Sequence, residues 1–365
     1  MIKKKLILAD CDEMYLNSLS NYFMEKAPQL ELNIFTRKDL LYQYLDKDHE
    51  NKVLLVDEFF AGTELRERAG EAMKLVLSTT MTPVEGFEVV KKYQKAETLL
   101  SEILLKYAEN TGSVEAIRGG SHTRLAAFYS PAGGTGKTVL ALGMAAACAQ
   151  AGIKTFYLNL EEVDSVWDIL EPSAGSLSDI FLAIKTKGMN AGLKLASCVR
   201  QESIGRFFYI TGVESVSEYG EIDGQDIVRL LGAITGLAEY DLVILDTASG
   251  LSERTLKALE CADQIFTPVL SDCGVISKMQ RFLREETLHE VYNSVLRKMS
   301  LVINRSGRSG IGKELMESGI LERLPCCAVI TATPVFVRRA DLLCSGELLR
   351  QMMGRMIEAA MGGSQ

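Results

Sequence analysis

Apolar residues fall along this chain in two patterns: short unbroken runs, and longer stretches where they recur every third or fourth position. Lys5–Ala9 is the first run and closes in Asp10-Cys11-Asp12, after which Glu13–Lys26 carries apolar residues at 15, 16, 19, 22 and 23, one stripe of a helix. Leu32–Phe35 then predicts a second strand, Lys38–Leu45 a second helix, and Val53–Val56 a third strand ending at Asp57. Met73–Leu77 and a short run at Phe87–Val90 predict two more strands, and no helix fits between Thr80 and Phe87. Lys95–Ala108 predicts a helix that closes this series.

The segment 110–124, NTGSVEAIRGGSHTR, is polar, rich in Gly and Ser and without periodicity, as expected of a linker. Beyond it the alternation resumes. Ala126–Tyr129 predicts a buried strand, Val139–Gln150 an apolar helix capped by Gly152, and Lys154–Leu160 the next strand. Arg206–Thr211 predicts a strand, Asp226–Leu237 a helix, and Leu242–Leu245 a fully apolar strand ending in Asp246-Thr247-Ala248-Ser249-Gly250. A strand through Thr267-Pro268-Val269, a long helix over Val275–Arg297, strands at Ser300–Ile303 and Cys326–Thr331, and a last helix over Leu348–Met361 complete the chain. Strands that alternate with helices predict an α/β fold: two doubly wound parallel-sheet domains, over 1–109 and 125–365, with functional residues at the carboxyl ends of strands.

Composition narrows the setting. At 365 residues with 47% hydrophobic and 24% charged positions, the chain has room for two globular domains with cores of ordinary size. The net charge of −8 argues against nucleic acid or anionic membrane as a general partner. The 8 cysteines include no C-x-x-C pair and none of the 3 histidines lies near one, a pattern that suits a reducing cytosol better than a zinc site. The opening MIKKKLILAD loses its apolar run at Asp10, and Val139–Ala149 is well short of the ~20 residues of a membrane span, so the expected location is the cytoplasm.

The candidate chemistry centres on Gly133-Gly134-Thr135-Gly136-Lys137-Thr138, between a predicted strand and the helix that starts at Val139. Glycines let successive backbone N–H groups turn toward one phosphate, and the helix N-terminus adds a favourable field. Lys137 would reach the β- and γ-phosphates and the Thr138 hydroxyl would ligate Mg²⁺; the pattern G-x-x-x-x-G-K-[ST] is met except that Pro131 replaces its first Gly. Asp246, delivered by an apolar strand, is placed for a water-mediated Mg²⁺ contact, and the D-x-x-x-G run is placed to sense a γ-phosphate.

Two resemblances follow from these residues. Asp10, Asp57, Thr79 and Lys91 or Lys92, each after a strand, resemble a response-regulator receiver domain, with Asp57 as the implied phosphoacceptor. Cys11 in the acidic pair and the missing helix depart from that pattern and favour a degenerate receiver-like (flavodoxin-like) domain kept for protein contacts. The second half resembles the MinD/ParA family of P-loop ATPases through GGTGKT, Asp246, the Thr267-Pro268-Val269 strand end and Asn304. That resemblance implies ATP with Mg²⁺, nucleotide contacts from Gly133 through Val139 and from Asn304, Arg305, Pro334 and Val335, and a homodimer.

It also marks two losses. The family's lysine before the Gly pair is Ala132 here, and its D-x-D is Asn159-Leu160-Glu161, which leaves Glu161 to orient a water beside Lys137 and Asp246. The last helix carries Arg350 and Arg355 against Glu347 and Glu358, without the basic face of a membrane-binding helix. The order of the two domains resembles the TadZ/CpaE family of pilus-assembly proteins, which implies an ATP-bound dimer that positions a type IVb (Flp/Tad) pilus or secretion machine, with weak hydrolysis. Its partners would be proteins of that machine, and any polar or membrane-face location would come through them. Two alternatives stay open: a competent ParA/MinD-type ATPase that positions DNA or other cargo, and a regulator controlled by phosphorylation of Asp57.

Overall fold

The computed structural model describes residues 4–26, 30–47, 52–96, 98–100, 102–103, 106, 123–186, 191–285, 290–307, 310–332, 339–344 and 346–362. The expected linker is outside the described residues apart from 123 and 124, as are Pro334 and Val335. The chain divides into two compact units, Met1–Ser121 and His122–Gln365.

In the first unit β1 (Lys4–Ala9), β2 (Leu30–Phe35), β3 (Lys52–Asp57), β4 (Met73–Ser78) and β5 (Glu88–Lys91) form one parallel sheet in the order β2-β1-β3-β4-β5, that of flavodoxin-like folds. Side chains alternate across it as the pleat requires. Leu6, Leu8, Val53 and Leu55 pack with Leu16, Leu19 and Phe23 of the Glu13–Lys26 helix. Ile7, Ala9, Leu54 and Val56 pack on the other face with Leu41, Leu45 and Leu65. A sheet covered on both faces reads as unbroken apolar runs, which is why these strands were visible in sequence. The Thr63–Arg68 helix was not, because six residues with one buried leucine leave no periodic trace.

The second unit holds an eight-stranded sheet built from β6 (Arg124–Phe128), β7 (Thr155–Leu160), β8 (Arg200–Gln201), β9 (Phe208–Tyr209), β10 (Leu242–Thr247), β11 (Gln264–Val269), β12 (Met299–Ser306) and β13 (Cys326–Thr331). Their order is β13-β12-β11-β6-β10-β7-β9-β8, and only β8 pairs antiparallel. The strand expected over Arg206–Thr211 is corrected to two residues, since Arg206 turns the chain in a left-handed conformation with φ 64°. Val275–Arg297 is described as two helices, Cys273–Arg284 and Glu290–Leu296, with 286–289 outside the described residues.

The Lys137–Gln150 helix is buried along most of its length between the sheet and the Gly346–Ala360 helix. Gly143 sits at this crossing: a Cβ there would lie 3.3–3.4 Å from Leu342, Met353 and Leu349. Leu349, Met353 and Met356 are fully buried in the same core, so the apolar stripe of the last helix is spent on packing within this unit. Among the described residues no helix is long and apolar enough to cross a membrane.

Candidate phosphate-binding site

The chain leaves β6 at Phe128, turns through the glycine loop and enters the Lys137–Gln150 helix, while β10 ends alongside at Asp246 and Thr247. Gly136 is left-handed at φ 93°, and a Cβ on it would meet the Asn304 amide nitrogen at 2.5 Å; only glycine fits. Asn304, buried at the end of β12, donates through Nδ2 to the Thr135 carbonyl (2.8 Å), and its Oδ1 accepts from the Arg305 amide (2.9 Å). Its visible work is to brace the loop. Arg305 is exposed and has a left-handed backbone, φ 52°.

Lys137 is buried and its Nζ donates to Ser249 Oγ at 2.6 Å, while Ser249 donates on to the Ala132 carbonyl at 3.2 Å. The ammonium is thereby held within the curve of the loop by the D-x-x-x-G run. Asp246 is fully buried, as is Tyr157, whose hydroxyl donates to Asp246 Oδ2 at 2.8 Å. Register explains the contact. Tyr157 pairs with Ile244 and Asn159 with Asp246, so all four side chains lie on one face of the sheet and the tyrosine reaches along it. Asp246 Oδ1 makes no hydrogen bond of ordinary geometry, although Thr138 is near enough to favour the charged form. The Thr135 hydroxyl is likewise buried and unpartnered. Orphaned buried polar atoms of this kind are rare, and a bound water or ion would satisfy them.

Burial, followed by the charge of Glu161, pushes the Asp246 carboxyl up to about 7, against the opposing effects of Tyr157, Thr138 and Lys137. An acid whose pKa is higher folded than unfolded contributes stability below its unfolded pKa and loses it as pH rises through the folded value. Metal-free protein is therefore expected to lose stability from about pH 4 to 8, by up to about 1.4 kcal/mol per pH unit from this group. Urea midpoints at pH 5 and pH 8 in EDTA, for wild type and Asp246→Asn, check this. An equal slope in the variant would show that another group is responsible.

At the end of β7 the Asn159 amide donates to Asp164 Oδ1 (2.9 Å), and its Oδ1 accepts from the Glu161 N–H (3.0 Å). Glu161 Oε2 accepts from the Ser165 hydroxyl. Sequence reasoning reached Lys137, Thr138, Asp246 and Glu161 but missed Tyr157, Asp164 and Ser249. The polar run after the strand, Glu161, Glu162, Asp164 and Ser165 around Val163, was the available signal for Asp164.

In the first unit Lys92 Nζ bridges Asp10 Oδ2 (2.6 Å) and Asp57 Oδ2 (2.8 Å). Burial alone would lower the pKa of Lys92, but hydrogen bonds to both carboxylates and their charge outweigh it and hold the ammonium above its ordinary value. Of the two lysines left open by the sequence, Lys92 is the one in this cluster, and Lys91 is exposed on β5. Thr79 follows β4 and is exposed, while Ser78 is buried and its hydroxyl accepts from the Thr80 (3.2 Å) and Met81 (2.9 Å) amides.

No family model and no curated protein matches the sequence. Solved structures do resemble the fold. The ATP complex of a McdA variant from Cyanothece is similar with a TM-score of 0.51 at 17% identity, covering 67% of this chain and 99% of that one. MinD from Pyrococcus horikoshii with Mg-ADP is 18% identical with a TM-score of 0.48, covering 65% of this chain and 94% of its own. A ParA family ATPase from Chlorobium tepidum is 15% identical, with a TM-score of 0.47, and covers 65% and 97%. The second unit's largely parallel α/β sheet is thus a fold it shares with the McdA–ATP complex.

Proposed function

We propose that this chain is an ATP-binding localisation protein of the TadZ/CpaE kind, forming a nucleotide-bound dimer that positions a type IVb pilus or secretion machine and hydrolysing ATP slowly. One observation carries the reading of nucleotide binding: a glycine loop closes around Lys137 while Thr138 and the orphaned Oδ1 of Asp246 lie together beside it. These residues fit a nucleoside triphosphate with its metal. The loop N–H groups and Lys137 would hold the phosphates, and Thr138 and Asp246 would hold Mg²⁺, which neutralises phosphate charge. ATP is named because the fold likeness with the higher TM-score is to an ATP complex and because Asn304 lies at the loop.

The localisation part rests on the order of the two units and on fold likeness to a ParA/MinD-type protein. In this reading the first unit is a degenerate receiver: the Lys92 ammonium sits between Asp10 and Asp57, where a phosphorylated receiver would need a divalent cation. The dimer is made by the second unit, and membrane contact is indirect, since the apolar stripe of the last helix is buried.

ATP-Mg²⁺ is expected to raise the melting temperature more than GTP-Mg²⁺ does. Equal protection by GTP would remove the adenine role given to Asn304. Light scattering of the full chain with saturating ATP-Mg²⁺ should give twice the monomer mass, and a monomer there would end the dimer proposal. A fluorescent fusion that stays diffuse in cells building the pilus would end the localisation reading.

A further inference from the structure

Three carboxylates gather where β7 and β10 end: Asp246, Glu161 and Asp164, all close enough to act on the Tyr157 hydroxyl. Each is engaged through one oxygen. Asp246 receives the Tyr157 hydroxyl and lies beside Thr138, and Glu161 receives the Ser165 hydroxyl. Asp164 is held by one oxygen only. Its Oδ1 accepts from the Asn159 amide at 2.9 Å and from the Val166 N–H at 2.8 Å, which fixes the carboxylate plane. Its Oδ2 accepts no hydrogen bond among the described residues and lies where a Cβ on Gly212 would come within 3.0 Å, so a bare glycine leaves it room.

Asn159 is 3% exposed and uses both ends of its amide: Nδ2 holds Asp164, and Oδ1 holds the Glu161 N–H at 3.0 Å. An aspartate could accept from Glu161 but has no proton to give Asp164. Asparagine at 159 and aspartate at 164 are thus one chemical unit, with the charge on the loop and the neutral amide at the strand end.

We propose that Asp164 is the carboxylate that orients the attacking water at this site, and that Asn159 is the positioning residue that holds it there; this rests on the nucleotide reading above. Glu161, the sequence candidate for that role, instead ties the loop to itself through Ser165.

The test uses the full chain and two readouts. Trp167 is the only tryptophan, 75% exposed and three residues beyond Asp164, so its anisotropy and acrylamide quenching report whether this loop is held. Asn159→Asp sets two carboxylates face to face, and Trp167 anisotropy should fall while quenching rises. The exchange Asn159→Asp with Asp164→Asn restores a donor–acceptor pair and should restore both signals.

Asp164→Asn alone keeps the acceptor for Asn159 and should leave Trp167 and the ATP-Mg²⁺ thermal shift unchanged. It should slow single-turnover hydrolysis at least about tenfold. Wild-type Trp167 signals in Asn159→Asp would overturn the latch. Wild-type turnover in Asp164→Asn, or a wild type that binds ATP-Mg²⁺ with no turnover above solvent, would overturn the role of Asp164. A wild type with no ATP-Mg²⁺ thermal shift fails earlier, at the nucleotide reading, and takes this inference with it.

Discussion

Single-turnover hydrolysis of ATP-Mg²⁺ by the wild-type chain is expected to fall far below the ~1–100 s⁻¹ of a typical kinase, and Ala132→Lys to raise it by about 10²–10³-fold. The barrier is set by charge that the site lacks where the terminal phosphoryl group becomes more electron-rich. A preorganised cation or donor there is worth about 3–4 kcal/mol in the transition state and little in the ground state. Ala132 presents only its carbonyl to the site, and that accepts from Ser249. The other sequence departure, Asn159, removes less than its identity suggests, because it carries the Asp164 carboxylate at 2.9 Å. Adding Asn159→Asp to Ala132→Lys should therefore slow hydrolysis, because the Asp164 carboxylate loses the amide that holds it. A wild-type rate already in the kinase range would refute this account. So would an Ala132→Lys variant as slow as wild type, which would place the barrier in geometry.

Lys137→Ala is expected to abolish most of the thermal shift that ATP-Mg²⁺ gives the wild type. A ligand that binds only the folded state at a hundred times its Kd stabilises it by about 2.7 kcal/mol, so even a large loss of affinity is visible as a lost shift. The substitution also removes the donor to Ser249 and leaves a gap in a buried place. The variant's melting temperature without nucleotide is therefore the reference for its own shift. A full shift in Lys137→Ala would mean that the nucleotide binds elsewhere.

The fold was largely legible because both sheets are covered on two faces. Their central strands are uninterrupted apolar runs, and the runs end in the polar residues that matter, Asp10, Asp57 and Asp246. The glycine loop was legible because its chemistry is contiguous in sequence. What escaped depends on register or on a single residue of strand length. Tyr157 meets Asp246 only because β7 and β10 pair with Asn159 opposite Asp246. Lys92 rather than Lys91 meets Asp10 and Asp57, a choice the sequence leaves open and β5 decides by running one residue beyond its expected end. Asp164 and Ser249 act through loops that fold back on the site, and no local periodicity encodes such a return.

The close crossing at Gly143 carries a consequence for how such sequences drift. With 3.3–3.4 Å between its missing methyl and Leu342, Leu349 and Met353, the helix that follows the phosphate loop and the last helix share one fixed allotment of volume. Bulk gained at 143 must be given up at 342, 349 or 353, or the loop end of the helix is levered out of place with Lys137 on it. Across descendants of this chain, side-chain size at 143 should vary inversely with size at those three positions, a correlation between one end of the sequence and a site two hundred residues away that aligned descendants would reveal.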